Sequence, residues 1–194
     1  MSNTSAPSVL QRILNESRKL GVTHELLTRR YVFERFLVRL SQSEWREKLV
    51  LKGAMALVAV TRNYGRTTRD MDMLGLQQLT SGEALAAIKA IASVAPSDGD
   101  PVVFDVDAFK VDTINVEADE PGHQITGEAR IGNAKIPLKI EISHGHLVSP
   151  TPAEMNYPTV LADGEAPNIL CYTPETKGGK VRGDLLSRDR NIAV

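Results

Sequence analysis

The sequence predicts an α+β fold, and three patterns support that prediction. Apolar residues recur at helical spacing over residues 8–20 and again over 23–40. A strand, a glycine turn and a short apolar helix follow at residues 50–60. After residue 102, apolar and polar residues alternate, which is typical of half-buried strands. Helices followed by a run of strands indicate N-terminal helices packed on a mixed sheet.

Composition limits the functional classes. The chain has 194 residues and is 42% hydrophobic, so it can bury the core of one domain. A net charge of -1 leaves any nucleic-acid contact to a local patch. The single cysteine, Cys171, excludes an intramolecular disulfide and a cysteine-based zinc site. With no apolar run near the roughly 20 residues that span a bilayer and no signal-peptide pattern, we expect a cytoplasmic protein without membrane contact.

Two helices are expected at the N-terminus. The first ends at Gly21, a residue typical of a C-cap, and Thr23 is expected to cap the second. One face of the second helix carries four arginines: Arg29, Arg30, Arg35 and Arg39. Two interpretations of this stripe stay open. It is either a surface for a phosphate backbone or a solvated face paired with Glu34.

The next segment alternates strands and helices. A strand is expected to lead into the Lys52-Gly53 turn, with a helix over residues 54–60 and a strand over 71–76. Ser81 is expected to cap a helix over residues 82–93.

Four successive antiparallel strands are expected after that, separated by turns at Pro101, Pro121 and Gly132. Residues 147–174 then contain five prolines and are expected to form an extended irregular arm.

A pair of aspartates is the strongest chemical signal. Asp70 and Asp72 alternate with Met71 and Met73, so on a strand both carboxylates share one face. Two neighbouring acids repel each other unless a cation lies between them, and Mg²⁺ prefers oxygen ligands of this kind together with substrate phosphates. The alternative interpretation is a surface turn with two solvated acids.

Further residues complete the predicted site. If the strand of Glu141 lies beside the aspartate strand, Glu141 supplies a third carboxylate, as a two-cation site requires; otherwise it is an exposed strand acid. The Gly53 turn at a helix start can hold a phosphate with backbone N–H groups. Lys52 or Arg66 could neutralise the triphosphate. His144 and His146 lack a third soft ligand, and Cys171 lacks a paired histidine, so neither is expected to form a site.

Longer motifs resemble the AbiEii/AbiGii toxin family of nucleotidyltransferase-fold proteins, and the resemblance covers nearly all of the chain up to residue 176. The motifs are Arg30-Tyr-x-x-Glu-Arg-Phe-Leu-x-Arg-Leu-Ser41, Leu51-Lys-Gly-Ala-x-x-Leu57, Arg66-x-Thr-Arg-Asp-x-Asp-x-Leu-Gly75, Ile140-Glu-Ile142, Tyr157-Pro-Thr-x-Leu161 and Tyr172-x-Pro-Glu-Thr176.

The resemblance implies a nucleotidyltransferase toxin of a bacterial toxin–antitoxin or abortive-infection pair. It implies Mg²⁺ or Mn²⁺, an NTP as substrate, tRNA or another RNA as acceptor, and an AbiEi-like antitoxin as partner. By motif position, Thr68, Asp70 and Asp72 match the family's active-site signature, with Gly53 and Thr68 positioning the triphosphate. Glu141 matches an acid of the third strand. Two rival interpretations are an inactive remnant that binds antitoxin or nucleotide, and a kinase-like phosphotransferase.

The resemblance ends after Thr176. The family continues into an Ala-Glu-Lys helix and a C-terminal helical lobe, whereas Lys177 and Lys180 are out of register with that lysine. We interpret the lobe as missing and expect weak transfer at most, since one preorganised charge is typically worth about 10²-fold or more in rate. With permitted codons, the tail read one nucleotide later encodes Arg-Ala-Glu-Lys, so a frameshift near codon 177 is one hypothesis. A genuine short variant with a functional basic tail is the other, and the gene's nucleotide sequence distinguishes them.

These patterns predict one nucleotidyltransferase-like domain and a tail. The predicted parts are N-terminal helices (1–48), the catalytic sheet core (49–146), the irregular arm (147–176) and a divergent, poorly ordered basic tail (177–194).

Overall fold

Helices and strands form largely where the periodicity predicts them. The structure is a computed structural model that describes residues 4–62, 68–96, 99–114, 122–144 and 152–172. Its α-helices are α1 (Ala6–Leu20), α2 (His24–Ser41), α3 (Gly53–Thr61) and α4 (Ser81–Ala92). Its strands are β1 (Leu49–Lys52), β2 (Met71–Gly75), β3 (Val102–Phe104), β4 (Lys110–Ile114), β5 (Gly122–Ile131), β6 (Ala134–Ser143), β7 (Ala153–Asn156) and β8 (Asn168–Cys171).

One mixed sheet joins all the described strands. Its order is β3-β5-β6-β2-β1-β8-β7, and β4 also pairs with β5. Strand β2 lies near the middle, antiparallel to β1 and parallel to β6. One hydrophobic cluster joins the sheet to all four helices, with α2 in contact with β6 and β8. The predicted α+β class, with N-terminal helices packed on a mixed sheet, is confirmed.

The ends of the first two helices follow local chemistry. Gly21 ends α1 in the left-handed conformation, with φ of 66°. The Thr23 side chain accepts a hydrogen bond from the backbone N–H of Leu26 and so caps α2. Both predictions are confirmed. None of the helices in the described residues is both long and apolar enough to cross a membrane.

The predicted cap of α4 is wrong by one residue. Thr80, rather than Ser81, is the N-cap, because its hydroxyl accepts from the backbone N–H of Glu83. The Glu83 carboxylate accepts from the Thr80 backbone N–H at 2.8 Å in return. This reciprocal capping box satisfies two N–H groups at once, which a cap at Ser81 could not do.

The arginine stripe is neither a solvated face nor, apart from Arg29, open to a phosphate backbone, although its predicted pairing with Glu34 is confirmed for Arg35. Arg30, Arg35 and Arg39 are buried in α2, and only Arg29 is partly exposed. The helix is enclosed on nearly all sides from Leu27 to Leu40, so its charges are paired within the protein. Arg35 donates to Glu34 at 2.9 Å. The Arg39 guanidinium donates to Asp100 at 2.9 Å and to the carbonyl of Val102 at 2.9 Å.

The antiparallel strands pair in a different order from their order in the chain. β3 and β4 both pair with β5 along the same edge, β4 at its start and β3 at its end. A 3₁₀ turn at Val106–Ala108 separates them. β5 and β6 form the long hairpin that the Gly132 turn predicts.

The irregular arm is a wrong prediction for Ala153–Asn156 and Asn168–Cys171, which are strands, whereas residues 157–167 between them have no regular structure. β8 pairs parallel with β1, and β7 pairs antiparallel with β8, so this segment extends the sheet. The prolines misled the prediction, because Pro152, Pro158 and Pro167 lie outside the two strands rather than within them. The sheet therefore extends beyond residue 146. Residues 173–194, with the divergent tail, lie outside the described residues.

Candidate active site

Strand β2 presents its two side-chain types on opposite faces. Met71 and Met73 are fully buried in the core, whereas Asp72 is only half-buried on the other face. Asp70 directly precedes the strand. The alternation predicted from the sequence is confirmed, and it removes the carboxylate of Asp72 from the apolar core.

Strand pairing places three charged residues in one row. Lys52 of β1 is the register partner of Asp72, and Asp72 is the partner of Glu141 on β6. Residues directly opposite each other on neighbouring strands share a face of the sheet. The structure therefore brings Glu141 beside the aspartate strand, which is the condition under which it was predicted to join the site.

The Gly53 turn lies directly against Asp72. Gly53 begins α3 with φ of 68°, a conformation that residues with a side chain rarely adopt. A Cβ atom at this position would lie 2.0 Å from Oδ2 of Asp72. Both the backbone angle and the close approach therefore require glycine. The N-cap residue of α3 is Lys52, whose side chain makes no capping hydrogen bond, so α3 begins beside this carboxylate without a cap from that residue.

Lys139 lies between two of the acids. Its Nζ atom is 2.6 Å from Oε1 of Glu141 and 3.5 Å from Oδ2 of Asp70. The hydrogen bond to Glu141 raises the pKa of Lys139 above its ordinary value, and the charge of Asp70 adds to the effect. Glu141 and Lys139 project from the same face of β6, two residues apart, as the strand period requires.

Thr68 holds the turn that carries Asp70. Its hydroxyl donates to the backbone carbonyl of Asp70 at 2.7 Å and also lies 3.3 Å from Oδ1 of the same residue. The side chain is buried. Thr68 thus fixes the orientation of Asp70 in this structure.

A cleft of about 570 Å³ opens beside the aspartates. Its walls come from the N-terminal end of α2, the start of α3 and the turn before β2; they include Thr23, Glu25, Arg29, Ala54, Thr68, Arg69, Asp70 and Asp72. Arg29, the one partly exposed arginine of the α2 stripe, lines this cleft and pairs with Glu25 at 3.0 Å. The cleft therefore combines carboxylate and guanidinium groups.

The donor set fits a hard divalent cation, although the three acids are not arranged around a common point. Among the residues that the structure describes, no group of three or more His, Cys, Asp and Glu side chains converges on one potential metal position. Asp70 and Glu141 instead share the Lys139 ammonium. All candidate ligands are carboxylate oxygens, which are the ligands that Mg²⁺ prefers.

Comparison with known protein families shows the family to which this chain belongs. The family model described as "Nucleotidyl transferase AbiEii toxin, Type IV TA system" matches residues 35–177, most of the 194-residue chain. The chain belongs to the AbiEii family. Lys52, Gly53, Thr68, Asp70, Asp72 and Glu141 all fall within the matched segment, whereas α1 and Arg29 precede it.

Two solved structures are also similar to this AbiEii family member. One is JHP933 from Helicobacter pylori, with 13% identity and a TM-score of 0.47 over 79% of this chain and 54% of that one. The other is a candidate nucleotidyltransferase from H. pylori, with 14% identity and a TM-score of 0.43 over 79% and 56%. The chain thus spans about half the length of both proteins. Among curated proteins, no significant match was found.

Several sequence candidates lie elsewhere. Arg66 and His146 are outside the described residues. His144 accepts a hydrogen bond from the backbone N–H of Leu79 at 3.2 Å, which is a structural role. Cys171 is fully buried, and burial raises its pKa to about 12. A thiol with that pKa is protonated at neutral pH, as expected for a residue that is not a nucleophile.

Two features of this AbiEii site were missed from the sequence. The strand period puts Lys139 on the same side as Glu141, but nothing in the local sequence puts Asp70 beside it. The N-terminal end of α2 lines the cleft, and that approach depends on how the helix packs on the sheet. The position of Thr23 and Arg29 near Thr68 therefore had no signal in the sequence.

Proposed function

We propose that this chain is a nucleotidyltransferase that transfers a nucleoside monophosphate from an NTP to an RNA hydroxyl, with the 3′ end of tRNA as acceptor. One observation carries the proposal. Asp72 lies between the Gly53 turn on one side and Glu141 on the other, in a single row across the sheet. Carboxylate oxygens that can bind a cation therefore lie next to a helix start that can bind a phosphate.

Three residues would hold the cation. Asp70, Asp72 and Glu141 supply the carboxylate oxygens, and Thr68 orients Asp70 by its hydrogen bonds. When bound, Mg²⁺ or Mn²⁺ supplies positive charge that lowers the pKa of the attacking hydroxyl and stabilises the leaving pyrophosphate.

The nucleotide is held by backbone and charge. The start of α3, which the Lys52 side chain does not cap, offers backbone N–H groups and the positive end of the helix dipole to a phosphate. Lys52, in the same row, offsets triphosphate charge. Thr68 was expected to position the triphosphate directly, and its bonds to Asp70 favour an indirect contribution instead.

The reaction is an in-line displacement. The hydroxyl oxygen of the RNA attacks the α-phosphorus of the NTP, and the bond from that phosphorus to the bridging oxygen of the β-phosphate breaks. Pyrophosphate leaves, and the hydroxyl proton passes to Glu141 or to water. Arg29 and Arg69 at the cleft place positive charge where a polyanion would approach.

An antitoxin is the proposed protein partner. The family is described as the toxin component of type IV toxin–antitoxin systems, and such a component is paired with a neutralising protein. We therefore propose an AbiEi-like antitoxin as that partner. Since weak transfer at most is expected of this chain, its expression alone should slow growth little.

Transfer of label from an NTP to total tRNA tests the proposal. The wild-type chain should label RNA with Mg²⁺ present, and EDTA should abolish the labelling. Asp70→Ala should reduce the rate by at least about 10²-fold, since it removes a preorganised charge. Asp107→Ala is the matched control, because Asp107 is exposed in the 3₁₀ turn Val106–Ala108 and is not among the residues that line the cleft. Equal labelling by wild type and Asp70→Ala would contradict the proposal.

A further inference from the structure

The Lys139 ammonium lies among the oxygens that the proposed reaction assigns to a cation. It is 2.6 Å from Glu141 and 3.5 Å from Asp70, so it bridges an acid on β6 and an acid before β2. One ammonium offers three donors and one positive charge. It therefore offsets the repulsion that would otherwise drive these two carboxylates apart.

The contacts of Lys139 with the two carboxylates can form and break reversibly. The side chains of Lys139, Asp70 and Glu141 are 38%, 37% and 28% exposed, so none of the three is locked in the core. A lysine ammonium is a compact charge at the end of a flexible stem, without the fixed fork of an arginine. Lys139 can leave the carboxylates for water or for another anion without leaving a buried charge behind.

A divalent cation competes with the ammonium for these oxygens. At about 4 Å, repulsion between a doubly and a singly charged ion weakens binding by more than about tenfold, even in a water-like dielectric. Cation binding at Asp70 and Glu141 therefore favours movement of Lys139 away from these carboxylates. The released ammonium then needs an anionic partner, and a triphosphate bound with the cation at the same carboxylates supplies one within reach.

We propose that Lys139 is a resident counter-ion that positions Asp70 and Glu141 before substrate binds, and that the divalent cation displaces it together with the nucleotide. The inference rests on the proposed function, because it assumes that the cation binds at these carboxylates. Cation and nucleotide then bind cooperatively, and each raises the affinity for the other by the same factor. Lys139 is thus a positioning residue that disfavours loading of the cation alone.

Mn²⁺ binding, followed by electron paramagnetic resonance, tests this inference. Wild type should bind Mn²⁺ weakly alone and more tightly with a non-hydrolysable NTP analogue. Lys139→Met should bind Mn²⁺ alone about tenfold tighter than wild type does. The NTP analogue should then raise its Mn²⁺ affinity by a smaller factor than in wild type. Lys135→Met is the matched control, because it removes the same charge from β6, where Lys135 is 3.9 Å from Glu128. Lys135→Met should behave as wild type.

Each outcome supports or overturns a distinct claim. Unchanged or weaker Mn²⁺ affinity in Lys139→Met, with wild-type coupling to the analogue, would overturn the counter-ion proposal. Lys139→Gln should also bind Mn²⁺ more tightly than wild type does, and it provides a second variant if Lys139→Met folds poorly. Asp70→Asn distinguishes failure of the proposed cation site from failure of the counter-ion proposal. If Asp70→Asn binds Mn²⁺ as wild type does, the proposed cation site is wrong. If Mn²⁺ binding is lost in Asp70→Asn but unchanged in Lys139→Met, only the counter-ion proposal is wrong.

Discussion

Glu34→Ala should destabilise the fold by about 3–5 kcal/mol, the usual cost of removing one partner of a buried ion pair. The side chain of Glu34 is fully buried, and its Oε1 accepts from the Arg35 guanidinium at 2.9 Å. Its Oε2 accepts from the backbone N–H of Val160 at 2.5 Å. The substitution leaves the Arg35 charge buried with less compensation and removes a link between α2 and the segment before β8.

Chemical denaturation followed by circular dichroism measures this effect. Glu44→Ala is the control, since Glu44 pairs with Lys48 on the surface and is 75% exposed. Surface pairs contribute about 0–1 kcal/mol, so the control should remain close to wild type. A Glu34→Ala midpoint equal to that of Glu44→Ala would show that the buried pair does not stabilise the fold.

Gly53→Ala should reduce nucleotide transfer by about 10²-fold or more, since the carboxylate of Asp72 would be displaced from a preorganised site. The new Cβ would lie 2.0 Å from Oδ2 of Asp72, so the carboxylate must move. The φ of 68° at this position adds roughly 1–2 kcal/mol of backbone strain for a residue with a side chain. We therefore expect losses of both activity and stability.

The matched control for this variant is Gly82→Ala. Gly82 lies near the start of α4, and a Cβ there would meet nothing within 4 Å. Alanine at a helical glycine is neutral or stabilising by about 0.5–1 kcal/mol. Thermal melting and the RNA-labelling assay should therefore separate the two variants. Wild-type transfer by Gly53→Ala would show that the close approach to Asp72 is not needed.

Local patterns were sufficient for part of this fold. The alternation of Met71, Asp72 and Met73 has the period of a strand, so their faces could be predicted from the sequence. Gly21 and Thr23 marked helix ends by chemistry that lies within a few residues. In each case the physical cause is local, and the structure agrees.

Features set by packing could not be predicted in the same way. The arginines of α2 look like a solvated stripe, because the partners that bury them are far away in sequence: Asp100 for Arg39 and the carbonyl of Glu165 for Arg35. The same limit applies to β8, whose pairing with β1 joins segments more than a hundred residues apart. Prolines lie on both sides of that strand in the sequence, and they favoured the prediction of an irregular segment.

The candidate site shows the same division. Glu141 could be proposed only on the condition that β6 lies beside β2, and the register pair of Asp72 with Glu141 meets that condition. Lys139 could be placed on the face of Glu141 by the strand period. Its approach to Asp70 depends on the end of β2, which no pattern within β6 reveals.

Positional labelling of the NTP tests the central claim most directly. Parallel reactions contain NTP labelled at the α-phosphate or at the γ-phosphate, with tRNA as acceptor. Transfer of a nucleoside monophosphate predicts that label from the α-phosphate alone enters RNA and that the γ label leaves as pyrophosphate. It also predicts that Asp72→Asn loses the signal, whereas Asp107→Asn, at an exposed position outside the cleft, keeps it. Label from the γ-phosphate in RNA or in a protein, or α-phosphate labelling by Asp72→Asn at the wild-type rate, would contradict the account.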